Sequence, residues 1–403
     1  MPEFVPASRV SRIKSSASVA AAARVRELKA EGRRILDLTV GEPDFDTPES
    51  IKAAAVDAIN AGDTKYTSVT GTPALQKAIL QTLESRTGHH YLPSEITIGG
   101  GAKQVIFTAF MATLDSGDEV VVPAPYWVSY PDMVLANEGT PVVVQCAEGT
   151  GFKLTPEALS ESITDRTKWL ILNTPSNPTG AVYSRAELRA LADVLMRFPQ
   201  VYVLTDEIYD QIYFGEGRIS SLVEVAPELK DRVLLVNGVS KAYAMTGWRL
   251  GYAAGPTGVI AAINKLQSQI SSCPSSISQA AAAAALTGDQ SFIQSNVDVY
   301  RGRRDAAVSG LNRIEGLSCS TPEGAFYAYV NCTGLMGKKT PDGTTVSNDQ
   351  DFVLYLLNSA SVAAIPGSAY GLGPYFRISY ATSLSVIEEA IAAIDKAVQA
   401  LSN

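Results

Sequence analysis

The chain has few of the residues that most often carry metal or acid–base chemistry: four cysteines and two histidines among 403 residues. Cys146, Cys273, Cys319 and Cys332 are scattered without a CxxC pair. That spacing excludes a disulfide framework and a zinc site, so no metal is expected, and each cysteine reads as a small buried hydrophobe. His89 and His90 are neighbours in "SRTGHHYLPSE"; adjacent side chains point apart, so acid–base chemistry must rest on other residues. Charge is also sparse, at 18% of residues, and basic residues are outnumbered 33 to 41, a net charge of −8. A nucleic-acid partner or an anionic membrane surface is therefore not expected, although local basic groups can still bind small anions. The first 32 residues lack the apolar core of a secretory signal, and "AAAAAL" at 281–286 is far too short to span a bilayer. The expected setting is cytoplasmic.

What is present is a repeated strand–turn–helix pattern. "EITIGGGAKQVIFTAFMATL", "DEVVVPAPYW", "TPVVVQC", "TKWLILNTPSNPTG", "VYVLTDEIYD", "RVLLVNGVSK" and "RLGYAAG" each contain an apolar run. Several are continuous Val/Leu/Ile stretches, as expected of strands covered on both faces. The fold class is α/β: a large doubly wound, mostly parallel-sheet domain over 50–288, followed by a smaller α+β domain over 289–403. Residues 1–49 read as a polar arm and a segment that packs with the smaller domain.

Open α/β sheets bind ligands beyond the carboxyl ends of their strands, and the unusual residues here stand at strand ends. "IGGGAKQ" at 98–104 leads from a strand into a helix, where small residues let backbone N–H groups approach an anion. It fits neither a dinucleotide-binding nor a P-loop pattern. Asp206 closes an apolar strand; it suits a helix cap, or a buried partner for a cationic ring nitrogen. Asn177 suits a turn, or an amide donor to a ligand oxygen. Trp127 suits the core, or stacking on a flat ring. Lys241, with Ser240 before it and Arg249 eight residues on, suits imine formation with an aldehyde beside a phosphate. Together these are the demands of pyridoxal 5′-phosphate.

The motif "SKAYAMTGWR" (240–249) resembles the S-K-x-x-x-[ST]-G-x-R signature of class I/II aminotransferases of fold type I. "GEPDFDTP", "KYTSVTGTPALQKAI", "APYWVSYPDM", "NTPSNPTG", "TDEIYD" and "YFRISYA" resemble the same family, in its order and over nearly the whole chain. The branch that these motifs resemble is the bacterial aspartate/prephenate aminotransferase subgroup.

The resemblance implies that Lys241 forms the internal aldimine and shuttles the proton, Asp206 pairs with the ring nitrogen, and Tyr209 and Asn177 bond the ring oxygen. It implies Trp127 as the stacking residue, and Gly101, Ala102, Lys103, Ser240 and Arg249 around the phosphate, with Tyr66 reaching the phosphate of a second subunit in a homodimer with shared sites. Arg377 would clamp the substrate α-carboxylate, helped by Asn177, Trp127 and Gly41; Lys103 would meet the distal carboxylate, and Lys14 matches the mobile-arm lysine associated with prephenate use. "QSQISSCPSS" (267–276) lacks the arginine that another aspartate aminotransferase branch uses there. The expected reaction is ping-pong transfer of the amino group of aspartate to 2-oxoglutarate, with prephenate as a second acceptor. Aromatic or alanine transamination and a fold-type-I lyase are the alternatives. A non-catalytic regulator built on the same fold is disfavoured by the intact Lys241 and by the lack of room for a DNA-binding module.

Overall fold

The computed structural model describes residues 4–402. In chain order its strands are β1 (Leu36–Asp37), β2 (Ile96–Gly99), β3 (Glu119–Ala124), β4 (Thr140–Gln145), β5 (Thr167–Asn173), β6 (Tyr202–Asp206) and β7 (Val233–Gly238). Then come β8 (Gly251–Ala254), β9 (Ser318–Cys319), β10 (Tyr327–Asn331), β11 (Val362–Ala363), β12 (Ile365–Pro366) and β13 (Tyr375–Ser379). The main sheet has the order β2-β8-β7-β6-β5-β3-β4. Neighbours from β7 to β4 pair in parallel, while β8 is antiparallel to both β7 and β2.

The apolar runs read in the sequence become strands buried on both faces, because successive side chains alternate across a sheet. Val121, Leu170, Leu172 and Leu235 enter one core cluster; Val120, Val122, Trp169, Ile171 and Leu234 enter the other. Each buried Val or Leu contributes about 1.5–3 kcal/mol of transfer free energy. The helices Ala102–Thr113 and Thr257–Ile270 cover the second face, with Val105, Ile106, Phe110, Ile260 and Ile263 in its core. On the first face, helix Arg185–Leu195 starts in a capping box in which Ser184 Oγ accepts from the Glu187 N–H and the Glu187 carboxylate accepts from the Ser184 N–H.

A second, antiparallel sheet has the order β12-β13-β10-β9, and Arg377 lies on β13 opposite Tyr329 and Ile365. The amino-terminal segment joins this part of the molecule through β1, which pairs in parallel with β11. In the smaller unit an α-helix runs from Asp349 to Tyr355, and residues 356–360 continue it as a wider π-turn that ends at Ser361 in the left-handed region. Among the described residues no helix is long and apolar enough to cross a membrane.

Candidate active site

Strands β2, β3, β5, β6 and β7 end on the same edge of the main sheet, and antiparallel β8 begins there. A cavity of about 570 Å³ opens at that edge and extends to Arg377 on β13 and to the helix Ala17–Ala30. Six cationic side chains (Arg26, Lys29, Lys103, Lys241, Arg249, Arg377) line it against three carboxylates (Asp37, Glu42, Asp206). In a chain of net charge −8, that local excess makes the cavity an anion site.

The end of the cavity beside Arg249 is built by glycine. Gly101 adopts φ +101°, and a Cβ there would lie 2.5 Å from Arg249 Nη2. At Gly251 a Cβ would lie 2.2 Å from the Ala102 nitrogen, so only glycine lets β8 run against the start of helix Ala102–Thr113. The N–H groups of Ala102 and Lys103 have no acceptor among the described residues and open, with the helix dipole, toward the cavity. Arg249 is itself left-handed at φ 55°, a conformation a non-glycine residue holds at some cost. Its guanidinium donates to the carbonyls of Thr246 (2.9 Å) and Gly100 (3.3 Å).

Asp206, only 4% exposed, ends β6. Tyr130 Oη donates to its Oδ2 at 2.6 Å, and the Ile208 N–H reaches Oδ1 only at 3.3 Å. Burial raises its pKa above the usual carboxylate range, opposed by the Tyr130 and Ile208 bonds and by the Lys241 charge. No cation pairs with it among the described residues. A buried carboxylate without a counter-ion is costly, and a cationic group on a ligand would relieve that cost.

Lys241 follows β7, and its Nζ donates to the Gly41 carbonyl at 2.5 Å. Desolvation pushes its pKa down to about 8; Arg249 and Arg377 act in the same sense, and Glu42 and Asp206 oppose them. Lys103 is also lowered, by burial and then by Arg249, and its Nζ sits 4.7 Å from the Trp127 ring centroid. Trp127 meets Tyr130 edge-on at 5.2 Å.

At the other end, Arg377 is 2% exposed and donates to Asn177 Oδ1 (3.1 Å) and to the Thr39 carbonyl (2.7 Å). Its guanidinium lies 4.3 Å from the Tyr327 ring centroid and 5.3 Å from that of Tyr370. Its Nε has no partner, and no carboxylate pairs with it among the described residues. A buried, uncompensated guanidinium fits a bidentate carboxylate ligand. Asn177 is oriented by its own N–H, which donates to Asn173 Oδ1 at 2.8 Å.

The structure thus brings Gly41, Ala102, Lys103, Trp127, Asn177, Asp206, Tyr209, Ser240, Lys241, Arg249 and Arg377 to one cavity, with Gly101 behind Arg249. It does not bring Tyr66 or Lys14 there. Tyr66 is 91% exposed, because its loop lies away from the cavity of its own chain. Lys14 is exposed as well: its backbone N–H donates to Asp132 Oδ1 at 3.1 Å, and Arg12 meets Glu138 at 3.6 Å, so the arm lies along helix Tyr130–Ala136. The arm-side cations that line the cavity are Arg26 and Lys29 instead. Sequence reasoning missed Tyr130, Asn173, Tyr327 and Gly251. Asn173 was findable as the polar end of an apolar strand; Tyr327 sits in the apolar run "GAFYAYV" and carries no local signal.

The family model for aminotransferase class I and II matches residues 33–394. The chain is 52% identical to an aspartate aminotransferase of Rhizobium meliloti strain 1021, over 99% of this chain and 97% of the relative. It is 51% identical to an aspartate/prephenate aminotransferase of Cereibacter sphaeroides, over 96% of each. Among solved structures, the aspartate aminotransferase from Rhizobium meliloti superposes with a TM-score of 0.97 at 51% identity, over 99% of this chain and 100% of the other. The Thermus thermophilus aspartate aminotransferase with maleate superposes at 0.91 and 38% identity, over 98% and 100%.

Proposed function

The chain belongs to the class I and II aminotransferases, and from that premise we propose that it moves the amino group of aspartate to 2-oxoglutarate with pyridoxal 5′-phosphate as cofactor, prephenate being a second acceptor. The observation that carries the reading is one cavity holding a lysine of lowered pKa, a buried carboxylate without a cation and a buried arginine without an anion. The relatives' names point to dicarboxylic substrates, and the cationic lining suits them.

When bound, the cofactor supplies an electron-withdrawing ring that stabilises the negative charge left on a substrate carbon after its proton departs. Asp206 holds the ring nitrogen, Tyr209 and Asn177 donate to the ring oxygen, and Trp127 covers a face. Ser240, Arg249 and the N–H groups of Ala102 and Lys103 hold the phosphate. Arg377 binds the α-carboxylate in two parallel hydrogen bonds, and Lys103 meets the distal carboxylate. Lys241 would take the α-proton on Nζ and hold it there for return, which a lysine near pKa 8 does far better than one at 10.5. Lys14 stays a proposed contact for prephenate through movement of the arm. Residues 50–288 are the cofactor-binding domain and 289–403 the smaller one. The working unit is a cytoplasmic homodimer in which Tyr66 reaches the phosphate held by the second copy.

Adding pyridoxal 5′-phosphate to the purified protein is expected to give a visible absorbance band that changes with aspartate and is lost in Lys241→Ala. A wild-type protein without the band overturns the cofactor. A panel of aspartate, glutamate, aromatic amino acids and alanine against 2-oxoglutarate, oxaloacetate and prephenate ranks the substrates; no turnover of aspartate overturns the substrate assignment.

A further inference from the structure

Tyr327 is the first residue of β10, in the antiparallel sheet, yet its side chain lines the cavity of the main sheet. Its hydroxyl lies 2.8 Å from the hydroxyl of Tyr209, and both side chains are buried. A Cβ on Gly41 would lie 3.2 Å from the same oxygen, so the turn that receives Lys241 is packed against it. The face of the ring carries the Arg377 guanidinium, whose central carbon is 4.3 Å from the ring centroid.

Tyr209 and Arg377 serve opposite ends of the reaction in the reading above, one toward the cofactor oxygen and one toward the substrate carboxylate. Tyr327 touches both. We propose that Tyr327 is a positioning residue: its hydroxyl donates to Tyr209 Oη, freeing the Tyr209 proton to point at the ring oxygen, and its ring fixes the plane of Arg377. The inference rests on the cofactor reading.

The direction of donation follows from chemistry. A phenol pair shares one hydrogen bond, and the second proton goes to whatever acceptor the cavity offers. If Tyr209 donates outward and the 2.8 Å bond is kept, Tyr327 is the donor between the two hydroxyls, and such chains strengthen the terminal donor. The groups facing Tyr209 are Tyr327, Arg377 and Asp206, with Lys241 Nζ 5.7 Å from its ring centroid. Burial raises both phenols above their ordinary range, so both keep their protons at neutral pH.

Two variants separate the two roles in the cofactor-loaded protein. Tyr327→Phe keeps the ring under Arg377 and removes only the hydroxyl. A ring oxygen with a weaker donor holds more negative charge, so the pH midpoint of the visible band is expected to rise by about half a unit to one unit. The affinity for maleate, an unreactive dicarboxylate, should stay within about twofold. Tyr327→Leu removes the ring face as well, and maleate should then bind about five- to tenfold more weakly.

Far-UV circular dichroism and the melting temperature establish that each variant is folded; if Tyr327→Leu fails to fold, the midpoint in Tyr327→Phe decides. A midpoint unmoved in Tyr327→Phe overturns the hydroxyl role. Equal loss of maleate affinity in both folded variants overturns the ring role. A wild-type protein that shows no visible band overturns the cofactor reading and this inference with it, an outcome distinct from a wild-type band with unresponsive variants.

Discussion

At the residue scale, three polar side chains share one predicament, each held without its natural partner: Asp206 and Arg377 are buried and Lys241 is half-buried. Asp206 lacks a cation, Arg377 lacks an anion, and Lys241 is desolvated between Arg249 and Arg377 on one side and Glu42 and Asp206 on the other. A fold tolerates such costs where a ligand relieves them. For Lys241 the cost has a measurable sign. Its folded pKa is near 8, against 10.5 for the ordinary side chain. The unfolded chain therefore binds the extra proton between those values, and in the cofactor-free protein the burial penalty is fully present below pH 8 and relieved as pH rises toward 10.5. The neutral, nucleophilic amine gains population through pH 8. The rate at which the cofactor-free protein develops its visible band with pyridoxal 5′-phosphate is expected to climb with a midpoint near 8 and level off above; a midpoint near 10 would show an ordinary lysine.

At the element scale, the site depends on how closely β8 approaches the start of helix Ala102–Thr113. Gly99, Gly238 and Gly251 stand side by side across three strands, since Gly251 is the register partner of both others. This row of glycines thins the sheet where the helix N-terminus enters. Gly251→Ala would place a methyl group 2.2 Å from the Ala102 nitrogen, which cannot be relieved by rotating a side chain. The variant is expected to lose about 1–3 kcal/mol of stability in urea unfolding. It should also bind pyridoxal 5′-phosphate at least about tenfold more weakly by titration, because the displaced N–H groups no longer converge on the phosphate. Wild-type affinity in this variant would mean that the helix N-terminus holds no phosphate.

At the scale of the whole molecule, one chain supplies every proposed cofactor contact except Tyr66, which is 91% exposed on the surface. If it serves a second copy, the two defects should complement. Tyr66→Ala and Lys241→Ala proteins, unfolded, mixed and refolded together, would form some dimers with one intact site, made of Lys241 from one chain and Tyr66 from the other. At a cofactor concentration too low to load Tyr66→Ala alone, the mixture is expected to recover about a quarter of wild-type activity, the random-pairing value for two equally abundant chains. Tyr66→Ala alone should bind cofactor about ten- to a hundredfold more weakly, the usual cost of a lost hydrogen bond to a charged group. Full activity in Tyr66→Ala alone would remove it from the site.

Much of this protein was legible in its sequence because strands covered on both faces must be apolar throughout, so polar residues that close such runs stand out. The runs ending at Asp206 and before Lys241 became β6 and β7, which place both side chains at one edge of the sheet. Arg377 was legible only through the family resemblance of "YFRISYA", since one arginine in a strand is an ordinary surface residue. The tertiary structure alone decided that this arginine is buried between Tyr327 and Tyr370, that Tyr130 serves Asp206, and that the helix Ala17–Ala30, with Arg26 and Lys29, borders the cavity while Lys14 does not. The physical reason is that a sequence records what each strand buries along its own length, whereas partners such as Tyr209 and Tyr327, 118 positions apart, meet only where two sheets close on each other.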